Sequence, residues 1–293
     1  VVFGVPSAPW NPMPADHALQ PLPPAPWLSI ADATLAHVQR QIPGARRLNG
    51  PQLAARVADD VERLSQWFTR DRDELPPGYL TQPAVRSAYQ LYFGPVGAAT
   101  VQAAMDLGRA WPAVRDRPLR VLDLGAGPLV ASLAVVERLR DTHQLEMTAV
   151  DGAKKAMEDG LAVAAMVAPA ARFELHAGNL REGRFLRSAV RGRFDLILVA
   201  NVLNEWQAGG GRAAAARWMG DVLRDHLADD GLCVLVEPAT RWGSHMLIDV
   251  REAVLAAGQL QAIAPCCGAP QCPLAGSSRD WCFAEQPWQR PPH

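Results

Sequence analysis

The sequence predicts an α/β protein with a mostly parallel sheet covered by helices on both faces, preceded by a helical region. Two observations predict it. From residue 118 onward, short apolar runs alternate with stretches of helical spacing, the pattern of a doubly wound sheet. Before that point the apolar residues recur only at helical intervals.

The apolar runs fall at 119–124, 145–150, 172–176, 194–200 and 232–236. Near-continuous apolar strands are those buried on both faces, which parallel sheets require. Helix-like stretches at 130–140, 153–167, 213–227 and 244–257 separate or follow them. Two shorter runs, 260–264 and 281–284, complete a predicted seven-stranded sheet with an antiparallel end. Upstream, 30–41 and 51–69 read as helices, the second with Leu53, Val57, Val61, Leu64 and Phe68 on one face. Residues 82–109 read as one or two helices interrupted near Gly94-Pro95.

These elements divide the chain into a proline-rich arm (1–30), a helical N-terminal domain (31–112) and a sheet domain (113–293) that carries a Cys-rich segment at 264–283. Eight prolines between Pro6 and Pro26 fix φ and remove donors, so the arm is expected to run extended. The opening Val1-Val2-Phe3-Gly4-Val5-Pro6 lacks the basic start of a secretory leader and reads as a trimmed end. No apolar run reaches the length of a membrane span, and a cytoplasmic protein is expected. A net charge of −1 gives no global footprint for nucleic acid, so any RNA contact has to be local, for instance at Arg40, Arg46 and Arg47.

The first sheet run closes as Asp123-Leu124-Gly125-Ala126-Gly127-Pro128. Glycines at a strand end allow a tight turn and close backbone approach to a ligand, and the next helix aims unpaired N–H groups at the same crevice. The third glycine of a dinucleotide fingerprint is absent, since Pro128-Leu129-Val130 follows. That disfavours a pyrophosphate and favours a nucleoside without phosphates, S-adenosylmethionine. Asp151 ends the second run, with Gly152 after it, and is placed to accept from two ribose hydroxyls. Gly178-Asn179-Leu180 follows the third run, where an Asn can meet an adenine edge, and Asn201 follows the fourth. The competing reading of each is an ordinary turn residue.

Methyl transfer needs a nucleophile held in line with the sulfonium, often without a strong base. Asn204 and Glu205 are the candidate catalytic pair, with Trp206 as a stacking surface for a planar substrate; the alternative is that Asn204 caps the next helix and Glu205 is its first-turn acid. Glu237-Pro238 faces the same opening. Tyr89 and Tyr92, near Arg86, either close the pocket from the N-terminal helices or belong to the core.

Of five cysteines, Cys233 stands alone and reads as a buried apolar residue, while Cys266, Cys267, Cys272 and Cys282 crowd a Gly/Pro-rich segment. In a reducing compartment such crowding points to a metal or cluster more than to disulfides. Cys267 is the candidate fourth ligand, with free thiols as the alternative.

Taken together, these motifs resemble the methyltransferase-like proteins associated with the mitochondrial small ribosomal subunit and their bacterial relatives, from about residue 79 onward. The resemblance is carried by Val121 to Pro128, by Phe194-Asp195-Leu196 and Val202-Leu203-Asn204-Glu205, by Val236-Glu237-Pro238, and by Ala264-Pro265-Cys266, Cys272-Pro273-Leu274 and Asp280-Trp281-Cys282. It implies a Rossmann-like class I methyltransferase fold, S-adenosylmethionine as cofactor, an iron–sulfur cluster on the cysteines rather than zinc, and a place in small-subunit ribosome maturation. This chain departs from it with Leu129 where the family usually has glycine, Cys267-Gly268 where Pro-His is common, and Phe283 where His is common. Three functions stay open: a methyltransferase acting on rRNA or the small ribosomal subunit, a non-catalytic S-adenosylmethionine-binding assembly factor, and a small-molecule methyltransferase. The methyl acceptor is not identified.

Overall fold

The computed structural model describes residues 1–4, 26–71, 74–108, 110–208, 210–258, 260–266 and 271–287. Its elements run β1 (Val2–Gly4), α1 (Pro26–Gln41), α2 (Gly50–Thr69), α3 (Pro83–Ala88), a π-helical turn (Tyr89–Phe93), α4 (Gly94–Gly108), β2 (Leu119–Leu124), α5 (Val130–Leu139), β3 (Leu145–Asp151), α6 (Lys154–Val167), β4 (Arg172–Ala177), α7 (Gly183–Ala189), β5 (Phe194–Ala200), α8 (Gly211–His226), β6 (Leu227–Val236), α9 (Arg241–Ala256) and β7 (Gln261–Ala264).

The seven strands lie in the order β4-β3-β2-β5-β6-β1-β7. From β2 the chain builds outward to β4, then returns to pair β5 with β2 and β6 with β5, all parallel. Direction of travel therefore reverses between β2 and β5, and the crevice of such a sheet opens at that point. Helices α1, α4, α5 and α6 cover one face, packing on Val121, Met147, Leu196 and Leu198. Helices α7, α8 and α9 cover the other, on Leu122, Val150, Ile197 and Val199.

Three expectations change. The segment 281–284 forms no strand; Phe283 is 53% exposed. The antiparallel strand comes instead from the start of the chain. Val2–Gly4 slots between β6 and β7, with Phe3 opposite Cys233 and fully buried. The strand packs closely here: a Cβ on Gly4 would stand 2.7 Å from Ile263 Cδ1 and 2.9 Å from Leu232 Cδ2, so those side-chain tips would have to shift. The first residues are thus part of the sheet and not an arm, while the prolines between Pro6 and Pro24 lie outside the described residues. Nor does Gly94-Pro95 interrupt the helix. Pro95 has no N–H for an α-helical bond, and the wide turn before it absorbs the mismatch, Gly94 N–H bonding back to the Tyr89 carbonyl.

A buried ion pair ties the N-terminal helices to the sheet domain. Arg86 Nε lies 2.7 Å from Asp159 Oδ2 on α6, and Nη1 donates to the carbonyls of Leu80 (3.1 Å) and Thr81 (2.6 Å). Among the described residues no helix is long and apolar enough to cross a membrane.

Candidate functional site

The turn after β2 is locked to the end of β3. Gly125 and Ala126 N–H donate to the Val150 carbonyl at 2.8 and 3.1 Å. Gly127 N–H donates to Asp151 Oδ2 at 2.9 Å, and Ala153 N–H to Oδ1 at 2.6 Å. Gly125 has φ +72°, and a Cβ there would meet Val202 Cγ2 at 2.2 Å, so both backbone and space demand glycine. Helix α6 crosses over the same turn at Gly160, whose Cβ would stand 2.3 Å from the Pro128 carbonyl oxygen. Fully buried Leu129 sits at φ +60°, which explains why glycine is the easier choice at this position.

The two strand-end acids do different work. Asp123 is 1% exposed and accepts from Ser132 N–H (3.0 Å) and Oγ–H (2.7 Å), so it pins β2 to the first turn of α5. Burial lifts its carboxyl to about 6 against the pull of those bonds. Asp151 is also pushed up by burial, with the Ala153 and Gly127 N–H groups holding it down. Each of its oxygens accepts one backbone bond and keeps a lone pair for another donor.

Across the crevice, Gly178 N–H donates to the Asp151 carbonyl at 3.0 Å, and the Phe185 ring would stand 2.3 Å from a Cβ on Gly178. Gly152 lies beneath it, its would-be Cβ 3.9 Å from the Gly178 oxygen. Asn179 is exposed and closes its own turn by accepting from Arg181 N–H at 3.0 Å, while Leu180 packs on the core. Asn201, at φ +60°, is exposed and donates its N–H to the Val236 carbonyl.

The loop after β5 is organised by a residue that the sequence alone leaves without a role. Glu237 accepts from three successive N–H groups, Val202 (2.9 Å), Leu203 (2.7 Å) and Asn204 (3.1 Å), at the start of the 3₁₀ helix Leu203–Ala208. An anion there satisfies orphan donors and the helix dipole together. Asn204 therefore caps nothing: α8 begins after Gly210, and Asn204 Oδ1 is buried with no hydrogen-bond partner among the described residues. Glu205 is exposed, its carbonyl accepting from Arg181 Nη2. Trp206 is no stacking platform. It is 6% exposed, 5.4 Å from the Trp218 ring, with Arg181 over its own ring at 5.3 Å.

Tyr89, on the π-helical turn, packs its ring among the N-terminal helices, 6.1 Å from Phe68 and 5.5 Å from Phe93. Burial pushes its hydroxyl to about 12, and the carboxylates of Asp151, Glu205 and Asp123 face it and add to the rise. Tyr92 is 55% exposed.

The cysteines gather elsewhere. Cys266, Cys272 and Cys282 line a mainly apolar cavity of about 300 Å³ between α4, the end of β6, α9 and the end of β7. Cys272 N–H donates to Glu252 Oε1 (3.0 Å) and Cys282 N–H to Ser244 Oγ (2.9 Å), so α9 is the bed on which this segment lies. Burial raises the Cys282 thiol, and Cys266 and Cys272 add to it. Cys233 is buried in β6, its thiol pushed to about 12 by burial. Cys267 lies outside the described residues. Among the described residues no group of three or more His, Cys, Asp or Glu side chains is arranged to hold a metal ion.

The sequence profile of the family described as Mitochondrial small ribosomal subunit Rsm22 matches residues 83–292. The chain belongs to the Rsm22 family. No curated protein is a significant sequence match. Among solved structures, the chain is similar to the mitomycin 7-O-methyltransferase MmcR, at 17% identity over 79% of this chain and 61% of that one, with a TM-score of 0.42. It is also similar to an O-methyltransferase family protein from Burkholderia thailandensis, at 12% identity over 74% and 60%, with a TM-score of 0.40. The chain thus spans about 60% of the length of these structures.

The stretch matched to the Rsm22 profile contains every crevice residue described above; β1, α1 and α2 lie before it. Glu237 carried a legible signal, an acid directly after an apolar strand. Gly160 carried none, because a glycine inside a helix does not say which turn crosses it.

Proposed function

We propose that this chain is an S-adenosylmethionine-dependent methyltransferase that acts on the RNA of the small ribosomal subunit or during assembly of that subunit. The observation that carries this reading is the turn Gly125–Gly127, bonded to Asp151 at the β2/β5 switch point and packed on Val202 of the loop after β5. A small, phosphate-free nucleoside suits it, because Gly127 N–H already serves Asp151 and is not aimed at a phosphate. In this reading Asp151 accepts from the ribose hydroxyls, while Gly125, Ala126 and Gly127 line the methionine side. Gly152, Gly178, Asn179 and Leu180 flank the adenine, and Asn201 borders the exit. The family's link to the small ribosomal subunit favours RNA over a small molecule as acceptor.

The bound nucleoside supplies an electrophilic methyl carbon on a sulfonium. Held by Asp151 and the Gly125–Gly127 turn, it would supply that methyl group to the lone pair of the acceptor. Asn204 Oδ1, buried without a partner among the described residues, is suited to orient an acceptor N–H, since such atoms are rarely left unpaired. Exposed Glu205 takes the displaced proton and passes it to water.

The cysteine segment bears on a second group. A single zinc ion draws four ligands to about 2.3 Å, whereas an iron–sulfur cluster spreads its thiolates over several irons. Three thiols line one cavity, and the resemblance noted above favours a cluster over a zinc ion, with Cys267 as the fourth ligand. Such a cluster supplies order to the segment. Anaerobically purified protein should contain iron and sulfide; colourless protein containing zinc would overturn the choice of group.

The function itself is tested with labelled S-adenosylmethionine and small subunits from cells lacking this protein. Label in the RNA is expected, and Glu205→Gln should slow it by roughly 10²–10⁴-fold. Nucleoside binding with no label in any subunit component would leave a non-catalytic assembly factor and overturn the enzyme.

A further inference from the structure

We propose that the exposed arginines along α7 and the loop after it form a docking surface for the phosphodiester backbone of RNA, leading to the crevice. The inference rests on the RNA-directed reading above and adds to it the surface that receives the RNA.

The chain carries a net charge of −1, yet residues 181–193 hold five arginines and one glutamate. All five arginines are exposed. The helix faces explain the arrangement. Leu186 and Val190 are buried against the sheet, with Phe185 and Ala189 beside them. Arg184 and Arg187, three residues apart, share the opposite face, and Arg191 and Arg193 continue beyond the helix end. Arg193 is 3.9 Å from Asp229, a weak surface pair. Among the described residues no carboxylate lies within ion-pair distance of Arg184, Arg187 or Arg191. By contrast, Arg115 and Arg117 both pair with Asp195.

Both ends of the stripe are fixed. At the crevice, Arg181 stacks on Trp206 and bonds the Glu205 carbonyl, beside the Asn179 turn. At the far end, Arg120 donates to the carbonyls of Arg193 (2.7 Å) and Arg191 (3.0 Å), bracing the loop around Gly192 at φ +80°. The stripe runs back alongside β5 from its carboxyl to its amino end, a span of roughly 20 Å at about 3.3 Å per residue. A row of unneutralised guanidinium groups, held on a braced backbone and ending at the methyl-transfer crevice, suits a polyanion with regularly spaced phosphates. A strand bound along it delivers its next nucleotide to Glu205.

The test is fluorescence anisotropy of the full chain with a labelled RNA hairpin of mixed sequence, over about 50–200 mM KCl. Arg184→Ala/Arg187→Ala/Arg191→Ala should weaken binding by roughly tenfold or more and lower the salt slope by about 2–3, near one unit for each phosphate left unpaired. Replacing the same three by Lys should restore most of the affinity, because phosphate binding here needs charge more than a fork. Arg56→Ala/Arg63→Ala, two exposed positions on α2, should leave slope and affinity unchanged. No RNA binding by the parent, or a triple-Ala variant with the parent's slope, overturns the docking surface. Weakened binding in Arg56→Ala/Arg63→Ala in place of the stripe variant overturns it as well. Calorimetry with S-adenosylhomocysteine on the triple variant separates the two readings. Unchanged nucleoside affinity with abolished RNA binding supports the surface, whereas absent nucleoside binding in the parent defeats the methyltransferase reading and leaves the RNA result standing on its own.

Discussion

The crevice and the cysteine segment sit at the same end of the sheet, yet their order comes from different sources. Around the crevice, the turn after β2, the acid after β3 and the loop after β5 are cross-bonded through backbone N–H groups, to Val150, Asp151 and Glu237. Gly125, Gly160 and Gly178 each fill a place where a side chain would collide. The cysteine segment after β7 contains no described helix or strand and hangs on α9 by two N–H bonds, from Cys272 and Cys282. A site assembled from strand ends is preformed, whereas the thiol-bearing loop has little regular structure of its own.

The largest expected effect breaks the crevice from above. Arg86→Ala leaves buried Asp159 with only the longer contacts to Lys155 (3.6 Å) and His37 (3.8 Å) and should cost about 3 kcal/mol in denaturant unfolding, the lower end for breaking a buried pair. A loss below about 1 kcal/mol would mean that the N-terminal helices are not held by this pair. Next comes Gly125→Ala. The φ of +72° and the close approach of Val202 predict a loss of roughly 2–4 kcal/mol, and a neutral substitution would show that the turn is pliable.

Acid titration sharpens the contrast between the two strand-end acids. Burial raises Asp123 to about 6 in the folded state, against about 3.9 unfolded. The folded state then binds the extra proton between these values. Stability contributed by Asp123 is present at low pH and is lost as pH rises from about 4 to 6, by at most about 1.4 kcal/mol per pH unit. Asp123→Asn should flatten that part of the curve; identical curves for parent and variant would place the proton elsewhere. The smallest effect concerns the comparison itself. Changing Cys266, Cys272 and Cys282 together to Ser should lower the melting temperature of iron-loaded protein while shifting S-adenosylhomocysteine affinity by less than about twofold. A crevice that fails with the thiols would show that it is not independently ordered.

Much of this was legible in the sequence, for identifiable reasons. β2 and β5 are buried on both faces, so Leu119–Leu124 and Phe194–Ala200 appear as mainly apolar runs, broken by Arg120 and Asp123 in the first and Asp195 in the second. The strand-end glycines and Asp151 stand out because a switch-point crevice restricts which residues fit. β1 did not, since three residues show no period and their partners lie more than two hundred positions away. Residues 281–284 carry strand-like composition, but β1 already fills the place between β6 and β7. Asp123 and Asp151 look equivalent as letters. Only side-chain direction separates the acid that pins α5 from the one that faces the crevice. Trp206 is likewise ambiguous until Trp218 is seen beside it.

The central claim is that Asp151 holds a nucleoside in this crevice. Isothermal calorimetry with S-adenosylhomocysteine, on the parent and on Asp151→Ala, tests it most directly. The account predicts measurable binding by the parent, weakened in the variant by roughly 1.5–3 kcal/mol, the scale for losing hydrogen bonds to a charged group. Equal affinity in the two proteins, or none in the parent, would contradict it.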